Sequence, residues 1–384
     1  MKLGFQLRRA FTEIANLARR CINLGYYLVW LIFDPSKFKS IKTSKIKNLL
    51  VIFSGATGDT YNTLAIINQL PKYGIKIYYL TNKKSVQFVK NPKITVLDVK
   101  TAKEMIKSRK FDAMAVLGLI SKDISPGYFS VLKVPYRAGC DLASISSILN
   151  GFSVPLTRKV FPKYQSGIID WIRVFRFLGF KIDRLQFYFT KKGEANSRRF
   201  LRRNHISKNE RLIFMHAGAG TIAQAKKENK APSHEWPNAR WSELSNKLIE
   251  KYNARLIFTG SRAEKETIRE IIKKIRNKKR AIDSSGELSI EDIASLMKRG
   301  DLLISIDTSM AHIGAQVRIP LIDLFGPFPP KLASPFTEKK KIIFHSEVCN
   351  SCRRYACPEG NAICMKAISV NEILDAADYF LVPN

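Results

Sequence analysis

Acidic side chains are scarce in this sequence: 32 Asp and Glu stand against 65 Lys and Arg, a formal net charge of +33. That imbalance favours polyanions, whether nucleic acid, anionic lipid head groups or phosphorylated substrates, without choosing among them. Cysteine is sparse as well: Cys21, Cys140 and four more near the end. This argues against a disulfide-built secreted scaffold and makes the cytoplasm the simpler location. Long apolar runs are missing. The uncharged stretch CINLGYYLVWLIF, 21–33, has thirteen residues, short of the roughly 20 that span a bilayer as a helix. No small-residue cleavage site follows it, against a secretory signal. There is no RNA-binding signature, no zinc-finger spacing with His pairs, no dinucleotide fingerprint and no P-loop. Nucleic acid therefore rests on charge alone and ranks last among partners.

What is present points to two packed cores. The chain has 384 residues and a hydrophobic fraction of 45%, long for one domain and too apolar for disorder. Residues 1–50 hold ten Lys or Arg against only Glu13 and Asp34. Within them Leu3, Leu7, Phe11, Ile14, Leu17 and Cys21 fall at helical spacing, with Arg8, Arg9, Arg19 and Arg20 interspersed. Tyr26, Tyr27 and Trp30 follow. A basic amphipathic extension over 1–45 that lies on an anionic membrane surface is expected, the alternative being a helix that covers its own domain.

From Lys47 onward strand and helix alternate, which calls for a parallel sheet with helices on its faces. NLLVIF, IKIYYLT, ITVLDV and DAMAVLGLI read as strands of a first domain over 46–200. DWIRVFRFLGF reads as a helix and LQFYFT as a strand, with a charged linker around 191–209. The alternation restarts with RLIFMHAGAG, ARLIFTG and PLIDLFGP in a second domain over 201–345, and SIEDIASLMKRG reads as a helix capped by Gly300. A Cys-containing tail and helix occupy 346–384.

Four loops at strand ends carry candidate chemistry. In SGATGD, 54–59, Gly55 and Gly58 permit a sharp turn and Asp59 opens a helix, as an N-cap or as a general base. In the loop that begins at His216, Gly218 and Gly220 expose backbone N–H groups and Thr221 adds a hydroxyl. Lys226, Lys227 and Lys230 follow, so the loop receives a diphosphate or is simply a long solvated segment. In LLISIDTSMAHIGAQ, 302–316, Asp307, Thr308 and Ser309 stand where a strand gives way to a helix whose start favours anions. His312, one turn in, is a further donor or a core histidine. Last, Cys349-x2-Cys352-x4-Cys357-x6-Cys364 has the ligand count for structural zinc or an iron–sulfur cluster, with reduced cysteines or disulfides as alternatives. Arg353 and Arg354 beside them are expected to favour thiolates.

Several short motifs recur together and in order. They are Gly58-Asp59 before an amphipathic helix, His-Ala-Gly-Ala at 216–219, Glu-Trp-Pro at 235–237 with Arg240-Trp241, and Phe-Thr-Gly at 258–260. Asp-Thr-Ser-Met-Ala-His-Ile-Gly-Ala at 307–315, Pro-Leu-Ile-Asp-Leu-Phe-Gly-Pro at 320–327 and the Cys tail complete the set. The chain resembles glycosyltransferase family nine, the lipopolysaccharide heptosyltransferase family, over about residues 46–380, most specifically at 305–327.

The resemblance implies an α/β GT-B fold, two Rossmann-like domains with a cleft between them. The acceptor is then bound mainly by the first domain and a nucleotide-sugar donor by the second, with inverting transfer that needs no metal. Asp59 becomes the candidate base. His216, Gly218, Ala219, Gly220, Thr221, Lys227, Glu264, Asp307, Thr308, Ser309, Met310 and His312 become donor-binding candidates, with Glu266 a competitor to Glu264. ADP-heptose is the first guess for the donor. A lipid-linked or phosphorylated glycan such as a lipopolysaccharide core is the acceptor, reached by a cytoplasmic protein peripheral to the inner face of the cell membrane. Many members carry a Lys shortly before the Trp-Pro; here Ser233, His234 and Glu235 stand there, with His234, Lys230 or Lys227 as substitutes. That departure motivates the alternative, a noncatalytic nucleotide-sugar or glycan-binding module of the same fold.

Overall fold

The computed structural model describes residues 43–118, 125, 133–140, 158–160, 167–218, 233–349, 351–354 and 356–382. The expected helix in the N-terminal extension lies outside them, as do Ala219, Gly220, Thr221, Lys226, Lys227 and Lys230. The chain divides after Asp183 into two compact units.

The first unit runs β1 (Asn48–Ile52), α1 (Thr57–Ile67), β2 (Lys76–Leu80), α2 (Lys83–Val86), β3 (Ile94–Leu97), α3 (Val99–Lys107), β4 (Ala113–Val116), β5 (Tyr136–Cys140), β6 (Arg158–Val160) and α4 (Gly167–Phe177). Its strands form one parallel sheet in the order β3-β2-β1-β4-β5-β6. Leu49, Leu50, Val51 and Ile52 are wholly buried, as expected of a parallel strand covered on both faces.

The second unit runs α5 (Lys191–Arg203), β7 (Leu212–His216), α6 (Asn238–Tyr252), β8 (Arg255–Phe258), α7 (Lys265–Lys273), β9 (Ala281–Asp283) and α8 (Ile290–Met297). It continues with β10 (Leu302–Ile306), α9 (Ser309–Val317), β11 (Leu321–Phe325), α10 (Pro330–Ala333), β12 (Lys340–Phe344), α11 (Ile363–Ala367) and α12 (Val370–Leu381). The sheet is again parallel, ordered β12-β11-β10-β7-β8-β9. Both sheets therefore have doubly wound order, with the direction of strand addition reversing between β1 and β4 and between β7 and β10. Ligands of such sheets bind at the carboxyl ends of the strands beside that reversal.

Three expectations are corrected. The charged stretch around 191–209 is not a linker. Thr190 caps α5 by accepting from the Gly193 N–H at 3.0 Å, and α5 lies so close to α8 that a Cβ on Gly193 would be 2.8 Å from the Glu291 carbonyl oxygen. The first unit accordingly ends at Asp183 rather than at 200. LQFYFT is not a strand: Leu185 and Phe187 alternate into the core, but no strand among the described residues pairs with them. Gly300 is not a cap, since α8 closes at Lys298; a Cβ on Gly300 would stand 2.5 Å from the Phe214 ring.

The tail belongs to the second unit. Trp236 donates its Nε1–H to the Ile368 carbonyl at 3.0 Å, and Ile368, Val370, Ile373, Ala377 and Leu381 join Trp236, Trp241 and Leu248 in one buried cluster. No helix among the described residues is long and apolar enough to cross a membrane.

Candidate functional site

In the first unit the turn after β1 carries Asp59. The N-cap of α1 is Ala56, without a side-chain cap, so Asp59 caps nothing and sits in the first helical turn. Neither Gly55 nor Gly58 adopts positive φ; Gly55 is needed because a Cβ there would be 2.4 Å from the Phe53 ring. The Asp59 side chain reaches solvent, while surrounding protein desolvates its carboxyl and pushes the pKa above the ordinary carboxylate value. A carboxylate with raised basicity suits proton abstraction.

In the second unit the carboxyl ends of β7, β8 and β10 gather the remaining candidates. His216 closes β7, and its Nδ1 lies 3.1 Å from the Thr259 carbonyl and 3.0 Å from the Thr259 hydroxyl. A carbonyl only accepts, which assigns the proton to Nδ1 and leaves Nε2 as an acceptor. Burial lowers the His216 pKa despite the nearby Glu264 charge, so the ring is neutral at pH 7. Glu264 is buried and its Oε2 accepts from the Ser261 N–H at 2.6 Å, completing a capping box. A Cβ on Gly218 would lie 2.3 Å from Glu264 Oε1, so the glycine makes room for this carboxylate. Glu266, by contrast, is exposed and pairs with Arg269 at 3.6 Å.

Beyond β10, Thr308 occupies the N-cap position of α9 with extended backbone, but its side chain makes no cap hydrogen bond. Its Oγ1 faces the Ser305 hydroxyl at 3.3 Å. The helix start thus leaves its first-turn N–H groups without a side-chain cap, a natural seat for an anion. Asp307 and Ser309 flank it, half-buried. Met310 turns into the core at 5% exposure. His312 is half-buried and held down to about 4, first by desolvation and then by the Lys340 ammonium; it is a neutral hydrogen-bonding group.

His234 is a poor replacement for a phosphate-binding lysine. It is buried against Phe328, with ring centroids 5.4 Å apart, and desolvation lowers it to about 4, so it carries no charge at pH 7.

The fold brings the four tail cysteines into one neighbourhood. Cys357 and Cys364 are buried and all four are free. Cys364 is pushed up to about 11, chiefly by burial and then by the sulfurs of Cys349, Cys352 and Cys357. The expectation that Arg353 and Arg354 make thiolates fails at Cys364, which desolvation and neighbouring sulfurs raise. Among the described residues no three His, Cys, Asp or Glu side chains are placed to hold a metal ion, so the zinc and iron–sulfur expectation has no support.

Sequence reading passed over two residues. Asp323 at the centre of β11 is fully buried, and Lys340 on β12 bears on it electrostatically. The signal was an acid in the middle of the apolar run Leu-Ile-Asp-Leu-Phe.

Residues 132–363 match glycosyltransferase family 9 (heptosyltransferase). Among curated proteins, lipopolysaccharide heptosyltransferase 2 of Salmonella typhimurium is 25% identical over 114 residues, 29% of this chain and 32% of that protein. Lipopolysaccharide heptosyltransferase 1 of Pseudomonas aeruginosa is 25% identical over 147 residues, 38% of this chain and 37% of that protein. The chain thus spans about a third of the length of the curated relatives it matches. Two solved structures share the architecture. The glycosyl transferase family 9 structure from Veillonella parvula gives a TM-score of 0.69 at 19% identity, covering 89% of this chain and 99% of that one. The E. coli ADP-heptose lps heptosyltransferase II gives 0.61 at 16%, covering 87% and 98%. At these identities the likeness is one of fold, an α/β chain of GT-B class with two parallel sheets.

Proposed function

The chain belongs to glycosyltransferase family 9 (heptosyltransferase), and from that premise we propose that it transfers a sugar from a nucleotide-sugar to a glycan acceptor with inversion. One observation carries this reading. Beside the reversal in the second sheet stand a buried carboxylate on a glycine shelf, a neutral histidine and a helix start without a side-chain cap.

Each part has a task. Glu264 accepts hydrogen bonds from ribose hydroxyls, the use an acidic side chain has in many doubly wound nucleotide sites. The first-turn N–H groups of α9, with the Thr308 and Ser309 hydroxyls, receive the diphosphate and stabilise the charge it gains on leaving. Asp59 takes the proton of the acceptor hydroxyl. The hydroxyl oxygen then bonds to the anomeric carbon from the face opposite the diphosphate, and the bond from that carbon to the phosphate oxygen breaks. The reading uses backbone and side-chain donors, rather than a divalent ion, to hold the leaving group.

The donor is proposed to be ADP-heptose, after the donor named for the E. coli relative. The acceptor is a lipid-linked or phosphorylated glycan such as a lipopolysaccharide core, met at the inner membrane face, and the excess of positive charge suits it. Thermal-shift measurements with ADP, UDP and GDP test the donor, because a ligand of the native state raises its melting temperature. Selective stabilisation by ADP is expected; selective stabilisation by UDP or GDP would replace the assigned nucleotide. Absence of transfer despite tight nucleotide binding would favour a noncatalytic module, for which the neutral His234 speaks.

A further inference from the structure

Asp323 lies fully buried at the centre of β11, and neither of its carboxyl oxygens has a hydrogen-bond partner among the described residues. An ionised carboxylate there would lose its hydration and gain no donor in exchange. Asp323 is in register with Ser305 of β10, and Ser305 with His216 of β7. The three side chains therefore share one face, in a row across the strand reversal. Asp307 stands two residues beyond Ser305, and Lys340 two residues before Ile342, the β12 partner of Asp323. The Lys340 ammonium is already committed, donating to the Ser334 hydroxyl at 2.9 Å and the Pro335 carbonyl at 2.6 Å.

We propose that Asp307 and Asp323 act as one acid pair carrying a single negative charge at neutral pH, and that the proton kept on Asp323 lets an anionic diphosphate settle at the start of α9. Asp323 is thus a positioning residue. It touches no ligand and sets the charge next to Asp307, which stands at the ligand's end of the strand. The inference rests on the donor-site reading given above.

The electrostatics agree with the geometry. Desolvation first, then the Asp307 charge, hold Asp323 well above the usual carboxylate range, and Lys340 only partly offsets them. Among the described residues the other titratable groups around this face include His216 on β7 and His312 on α9, both lowered and so uncharged above pH 7. Lys340, lowered from the ordinary lysine value chiefly by desolvation, also bears on this face.

The test compares the full chain with Asp323→Asn, the nearest isostere of a protonated acid. Chemical unfolding between pH 5 and 8 is the first measurement. Unfolded Asp is ionised above about pH 5, whereas folded Asp323 keeps its proton. The wild-type unfolding constant should therefore rise about tenfold per pH unit relative to the variant; parallel curves overturn the proposal. An infrared band of a protonated carboxylic acid in the unmodified chain at pH 7 checks the same point without a variant, and its absence overturns it too.

The second measurement is the affinity of wild type and Asp323→Asn for ADP, UDP and GDP at pH 7. Because a protonated Asp323 and an Asn carry the same charge, the variant should bind within about twofold of wild type, whereas removing an ionised carboxylate close to the diphosphate would make it bind about tenfold tighter. A variant that binds about tenfold tighter overturns the link to the donor. Failure of every nucleotide to bind either protein overturns the family donor reading and that link together. The unfolding curves then still decide the charge of Asp323.

Discussion

Gly218 is glycine because of Glu264: a Cβ at 218 would stand 2.3 Å from Oε1 and 2.4 Å from the carboxyl carbon. Glu264 cannot easily yield, since its other oxygen is held by the Ser261 N–H at 2.6 Å. Gly218→Ala should displace the carboxylate and weaken ADP binding about tenfold, equivalent to roughly 1.4 kcal/mol, while far-ultraviolet circular dichroism stays unchanged. Calorimetric titration measures it, and an unaltered affinity would detach Glu264 from the nucleotide.

Asp59→Ala should lower transfer by about a hundred- to ten-thousandfold, the usual worth of a positioned base, with donor affinity retained within about twofold. The base acts only when deprotonated. Because burial raises its pKa from 3.8, the acid limb of the wild-type kcat/KM profile should rise at higher pH than an ordinary Asp predicts, and should be missing in the variant. Full activity of Asp59→Ala would remove the residue from the mechanism.

His345 ties the tail to itself, with Nδ1 2.8 Å from Glu347 and Nε2 2.9 Å from Glu372. These carboxylates, Glu347 first, raise its pKa above 6.5. A histidine raised on folding contributes stability fully present below its unfolded pKa and lost as pH rises through the folded one. Wild type should therefore exceed His345→Gln by about 0.5–1 kcal/mol at pH 6, a modest figure because the pair is partly solvated. The gap should narrow from pH 6 to pH 8, as pH rises through the folded pKa. Urea midpoints at the two pH values check this, and a constant gap would mean packing rather than charge.

Trp236 is almost wholly buried, at 1% exposure, meets Trp241 edge-on at 5.1 Å and donates to Ile368. Trp236→Ala should cost about 3–5 kcal/mol and expose the C-terminal helix to protease. A loss under about 1 kcal/mol would show that the tail holds without it.

Much of the fold was legible because its causes are local. The run NLLVIF and the restart at RLIFMH are continuous apolar strands, and α6 begins and ends where NARWSELSNKLIEKY does. Where reading failed, a long-range partner decided. Gly193 looked like linker flexibility and is a close approach to Glu291; Gly55 looked like a turn and is room for Phe53. LQFYFT had strand alternation but no neighbour to pair with among the described residues.

The sequence by itself determined the two alternating α/β halves and the motif at 307–315 that marks the family, since periodicity and motif order are properties of the chain. Tertiary structure alone decided the charge of the site. Desolvation comes from atoms far along the chain, so neutral His216, neutral His234 and the buried acid at Asp323 could not be read from residue types. Which of Glu264 and Glu266, two residues apart, is buried was decided the same way, by the one the fold turned inward.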